Sequence, residues 1–150
     1  MDIVFFILVV VALLAASIGL QIFRTRRAPL GRVLQIFANI RYAEKLRQEF
    51  SDSRKVRKFR VNGWEKNKRK VLFLPEELRT KLDGLFGNLA DINIKIDTAM
   101  KFRSDAYLVT IDVNKLEQPL ASCKEKLQKW LQANMHNPEY LPRRFSIFRW

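Results

Sequence analysis

The 150-residue sequence is poor in the residues that build reactive or cross-linked sites, with one cysteine and one histidine. A single cysteine excludes an internal disulfide framework, and with one histidine beside it the usual Cys/His zinc sets are excluded too. Five glycines and five prolines leave no low-complexity tract. Acidic residues are scarce, 15 against 28 Lys and Arg, so the net charge is +13. That balance favours anionic neighbours: lipid headgroups, nucleic acid or ribosomes.

Catalytic signatures are missing as well. There is no glycine-rich phosphate loop, no His-Glu-x-x-His, no acidic calcium loop and no Gly-x-Ser-x-Gly. Cys123 lies on an apolar seam, thirteen residues from His136, and reads as a buried structural thiol. Asp91 with Asp97, and Asp105 with Asp112, lack the spacing of an acid–base pair and read as solubilising outer-face residues. The expectation is a non-enzymatic protein with no catalytic residue, no metal site and no cofactor.

What is present begins at the N-terminus. No residue from Ile3 to Phe23 is charged, and Ile3–Leu20 is interrupted only by Ser17 and Gly19. Such a stretch spans roughly 30 Å as a helix, about the hydrocarbon thickness, and lipid leaves a helix as the conformation that satisfies the backbone. Residues 1–23 therefore read as a transmembrane anchor. A cleaved signal peptide is the rival, since Ala15 and Ser17 make a small-x-small site, but the basic n-region is missing. Ala15 and Gly19 also form one small-xxx-small pair of the kind that packs two helices together. Arg24, Arg26, Arg27 and Arg32 follow the anchor, so the positive-inside rule puts the N-terminus outside a cell or inner membrane and the rest in the cytoplasm (matrix or stroma in an organelle).

The basicity is concentrated. Residues 24–70 carry 16 basic and 4 acidic side chains, a net +12, whereas residues 71–150 carry +2. This juxtamembrane region contains an amphipathic helix over 30–50, with Val33, Ile36, Phe37, Ile40, Ala43, Leu46 and Phe50 at three- and four-residue steps. Its stripe either lies on the membrane surface or packs on the rest of the domain. Over 55–74, Asn62-Gly63 is a hairpin signal and predicts a short basic β-hairpin pairing Val61 with Trp64 and Arg60 with Glu65; the alternative is a disordered basic linker. Candidate lipid or polyanion contacts are Arg24, Arg26, Arg27, Arg32, Arg54, Lys55, Arg57, Lys58, Arg60, Lys66, Lys68, Arg69 and Lys70. Phe59 and Trp64 are candidate stacking platforms for bases.

Residues 71–135 read as an antiparallel helical hairpin. Pro75-Glu76-Glu77 starts a helix, and Leu78, Leu82, Leu85, Leu89, Ile92, Ile96 and Ala99 make a coiled-coil-like a/d seam. A second seam runs through Val109, Val113, Leu116, Leu120, Cys123, Leu127 and Trp130, bent or restarted at Pro119, with the turn near Arg103–Asp105. Tyr107–Val113 also alternates like a strand, so helix and strand both stay open there. The tail, 136–150, is cationic and aromatic and suits a membrane interface, a partner or a cover for the bundle.

The fold class expected is thus mainly α: a transmembrane helix, an amphipathic helix, a basic β-hairpin and a helical hairpin. The function expected is a single-pass, membrane-anchored protein. Its basic neck contacts anionic lipid, and its helical domain binds protein partners or itself, as in an accessory subunit of a membrane complex. The alternative is a membrane-tethered nucleic-acid or ribosome-binding protein.

Overall fold

The apolar opening stretch forms a continuous helix, α1 (Ile3–Arg27), in the computed structural model, which describes residues 3–53 and 56–142. It runs four residues beyond Phe23 because arginine is a good helix former. Pro29 then stops it, since its ring would strike the carbonyl of Thr25, four residues back. The chain turns at Ala28 and enters α2 (Pro29–Ser53), with proline in the first helical position where its missing N–H costs nothing.

The apolar stripe of α2 packs into the core rather than lying on a membrane surface: Val33, Ile36, Ile40, Ala43 and Leu46 are buried. They join a single hydrophobic cluster that also takes in α4 (Glu76–Phe102) and α6 (Glu117–Asn134). Lys124 pairs with Glu44 at 2.8 Å and Arg47 with Glu117 at 3.7 Å, so α2 and α6 run in opposite directions. The packing of α6 is shared between α2 and α4, and α2 belongs to the same core as the C-terminal helices.

In α4 the predicted seam is buried except for the half-buried Ile92, and Phe86 joins it. The helix ends where Arg103 adopts a left-handed conformation, φ 46°, and the chain reverses into the short α5 (Asp105–Val109). Residues 105–116 form neither a strand nor one continuous helix. After α5 comes a break at Ile111-Asp112, where the Asp112 carboxylate accepts from the Asn114 N–H, then a 3₁₀ turn over Val113–Leu116. Val109, assigned above to the seam, is 73% exposed, because α5 ends before the seam begins. The helix restarts at Glu117, which puts Pro119 in its first turn, where its lost donor has no intrahelical acceptor.

The β-hairpin expected at Asn62-Gly63 is replaced by a helix. Residues 62–67 form α3 (Asn62–Asn67), followed by a 3₁₀ turn over Lys68–Lys70, and no strand occurs among the described residues. Gly63 does not take the positive φ that a type I′ turn requires. Tertiary packing decides this: the helix carries Trp64 into the core, parallel to Phe86 with ring centroids 5.8 Å apart, and its indole N–H donates to Asp83 Oδ1 at 3.0 Å. The irregular stretch before it is held by one side chain. Phe59 N–H donates to Asn93 Oδ1 at 2.7 Å, and Asn93 Nδ2 donates to the Phe59 carbonyl at 2.9 Å, as a neighbouring strand would.

Cys123 is buried, and burial pushes its thiol above the ordinary value of 9.0, against a weaker pull from Lys81 and Lys126. The folded chain should therefore resist a soluble disulfide reagent at neutral pH and react stoichiometrically once denatured. Because the folded thiol ionises at higher pH than the unfolded one, its contribution to stability is present below the ordinary thiol value. It is lost as pH rises through the raised one. A thiol titration with and without denaturant checks both statements.

Candidate functional site

The molecule has one helix, among the described residues, long and apolar enough to cross a membrane. Ile7–Arg27 comprises 21 residues of mean hydropathy 2.2, and none of the described residues buries its apolar window. Leu13 is 65% exposed and Ile7 54%, values that water would penalise heavily along a whole helix. At the base of this helix Arg27 folds back over the Phe23 ring, 4.0 Å from its centroid. An arginine at the end of an apolar helix reaches the interface in this way while its stem stays on apolar surface.

The last carbonyls of α1 have no intrahelical donors, and α2 supplies them. Arg32 Nε donates to the Arg27 carbonyl at 3.0 Å, and Gln35 Nε2 to the Arg26 carbonyl at 3.4 Å. Gly31 permits this close approach: a Cβ there would fall 1.9 Å from the Thr25 carbonyl oxygen. The apolar helix α1 is thus joined to the body by a short, hydrogen-bonded elbow rather than by a free linker.

From the elbow the positions of the basic residues can be read. α3 descends along α2 toward α1 in three steps. Arg60 lies over Tyr42, 4.2 Å from the ring centroid; Gly63 abuts Asn39; and Asn67 Nδ2 donates to Gln35 Oε1 at 3.4 Å. Tyr42 and Gln35 are seven residues apart on α2, about 10 Å of helix. The run that looks uniform in the sequence is therefore divided. Lys66, Lys68, Arg69 and Lys70 come to the end of the body where Arg24, Arg26 and Arg27 close α1 and Arg32 lies in the first turn of α2. Arg57, Lys58 and Arg60 stand higher, with Lys58 paired to Asp97 on α4. Arg54 and Lys55 lie outside the described residues, as do residues 143–150 of the basic aromatic tail.

The two proposed stacking residues face inward. Phe59 is 4% exposed and Trp64 2%, so neither offers a ring to a nucleic-acid base. Phe59 lies between Lys58 and Arg60 in the sequence, yet both rings belong to the hydrophobic core shared by α2, α4 and α6.

The opposite pole carries a different surface. Met100, Phe102, Tyr107 and Val109 are exposed, with the Phe102 and Tyr107 rings stacked 6.3 Å apart. Beside them a cleft of about 540 Å³ is lined by Phe50, Val56, Leu108, Val109 and Ile111 together with Asp105 and Asp112. These residues come from the ends of three helices and two connections, which no single periodicity marks.

No protein-family model, curated protein or solved structure matches this chain. Apart from the two poles, several charged residues form ion pairs at the surface. Glu77 is held below the usual carboxylate range by Lys126 and Lys81, Lys126 is raised in turn chiefly by Glu77, and Lys129 lowers Glu125. Such exposed pairs add little stability.

Proposed function

We propose that this chain is a single-pass membrane protein that acts by binding rather than by catalysis. α1 crosses the bilayer, the arginine neck at its base sits on the anionic leaflet, and the helical body stands on the cytoplasmic side. The observation that carries this reading is the uncovered apolar surface of α1, continuous down to Arg24. In water that surface is a liability; in hydrocarbon it is the ordinary state of a spanning helix. The cations gathered at one end of the helix set the orientation by the positive-inside rule. The exposed apolar cluster at the far pole supports the second half of the reading, attachment of a protein partner, as in an accessory subunit of a membrane complex.

The nucleic-acid alternative loses its main support with the burial of Phe59 and Trp64. What remains for it is charge alone, which lipid headgroups satisfy equally well.

Membranes prepared from cells making the full chain should retain it through an alkaline carbonate wash. Protease added to intact cells should spare the body, and detergent permeabilisation should expose it. Release by carbonate would refute the anchor, and digestion of the body in intact cells would refute the orientation.

A further inference from the structure

We infer that the loop Lys68–Leu72 is a second membrane contact, in which Leu72 enters the interface of an anionic bilayer while Arg69 and Lys70 bind its phosphate headgroups. This rests on the anchor reading above and goes beyond it: the body lies against the leaflet at a fixed tilt instead of swinging from α1. Both ends of the loop are pinned to the elbow. At one end Asn67 reaches the Arg26 carbonyl through Gln35. At the other, Phe73 packs on Tyr140 with centroids 5.0 Å apart, and the Tyr140 carbonyl accepts the Leu30 N–H at 3.0 Å. Whatever surface α1 enters, the loop faces it.

The loop's side chains suit that surface. Val71 and Leu74 turn into the core, but Leu72 between them is 64% exposed. Arg69 and Lys70 are exposed and make no ion pair among the described residues, whereas Lys68 is held by Glu65 at 2.8 Å and Glu77 is occupied by Lys81 and Lys126. An apolar side chain projecting beside unneutralised cations is the composition of an interfacial contact, with the apolar group inserted and the cations at headgroup level. A protein or nucleic-acid partner would have to compete with the leaflet for this end of the body.

The test uses the full chain reconstituted in phosphatidylcholine vesicles with and without phosphatidylserine. An environment-sensitive label is attached to Leu72→Cys, Leu13→Cys or Val109→Cys, and quenching by nitroxide-bearing lipid is read. Cys123 is shielded and stays in place. The label at Leu72 should be quenched on vesicles containing phosphatidylserine and much less on phosphatidylcholine alone, with Val109 unquenched on both. Reversing two charges, Arg69→Glu with Lys70→Glu, should weaken docking of the loop on anionic vesicles roughly 25-fold, about five-fold per lost cation. An unquenched label at Leu72 beside a quenched one at Leu13 overturns the inference and leaves the anchor standing. An unquenched label at Leu13 overturns both. Equal quenching at Leu72 on the two vesicle types, unaffected by charge reversal, overturns the headgroup contact.

Discussion

Replacing Trp64 by alanine should destabilise the folded chain by about 3–5 kcal/mol, the usual cost of emptying a large aromatic site in a core. The indole is 2% exposed, lies flat against Phe86 and anchors α3, the one α-helix between residues 56 and 75 among those described. Without it α3 has little left to hold it: six residues cannot sustain a helix alone. In thermal melts of the detergent-solubilised chain the midpoint should fall by about 10–20 °C, at roughly 4 °C per kcal/mol for a body of this size. Trp64→Phe keeps the ring contact and loses the bond to Asp83, so its cost should be nearer 1 kcal/mol. If instead both variants melted like the parent, Trp64 would not be a core residue, and the division of the basic run into a lower and an upper group would lose its basis.

The same residue marks where the sequence is legible and where it is not. Long-period signals survive into the fold because they describe a whole face at once. The uncharged run to Phe23 becomes α1, the stripe from Val33 to Phe50 becomes the inner face of α2, and the leucine seam from Leu78 to Ala99 becomes the buried face of α4. Each was fixed by many residues agreeing. Asn62-Gly63 is a two-residue signal, and one contact to Phe86, more than twenty positions away, outweighs it. Phe59 is a similar case. Among arginines and lysines it looks like a surface aromatic, yet the Asn93 amide, thirty-four residues on, ties its backbone down and sends its ring inward. Of the candidate site, the adjacency of Arg24, Arg26 and Arg27 to the apolar helix is plain in the sequence. The grouping of Lys66–Lys70 with those arginines is not, since it depends on the direction in which α3 runs along α2, a fact carried by Asn39, Gln35 and Tyr42.

Two glycine-to-alanine changes should act in opposite directions, and the contrast isolates the elbow. Gly84 sits on the outer face of α4 with nothing within 4 Å of an added Cβ. Alanine there only restricts the unfolded chain and improves helix propensity, so Gly84→Ala should stabilise the body by about 0.5–1 kcal/mol. Gly31→Ala places a methyl 1.9 Å from the Thr25 carbonyl oxygen and 3.1 Å from the Arg26 Cα, both backbone. Neither atom can rotate away, so α1 and α2 must separate. The cost should be about 1–3 kcal/mol, as for other overpacked sites. Stability is not the sharper readout, because most of the body's core lies beyond the elbow. Separation also removes the Arg32 and Gln35 bonds to the α1 carbonyls, and with Gln35 the link to Asn67. A pair of spin labels on Leu20→Cys and Lys70→Cys should therefore give a narrow distance distribution in the parent and in Gly84→Ala, and a broad one in Gly31→Ala. A narrow distribution in all three would mean that the elbow tolerates a side chain. The rigid coupling of α1 to the body, on which the proposed membrane contact of the Lys68–Leu72 loop depends, would then need another source than the elbow.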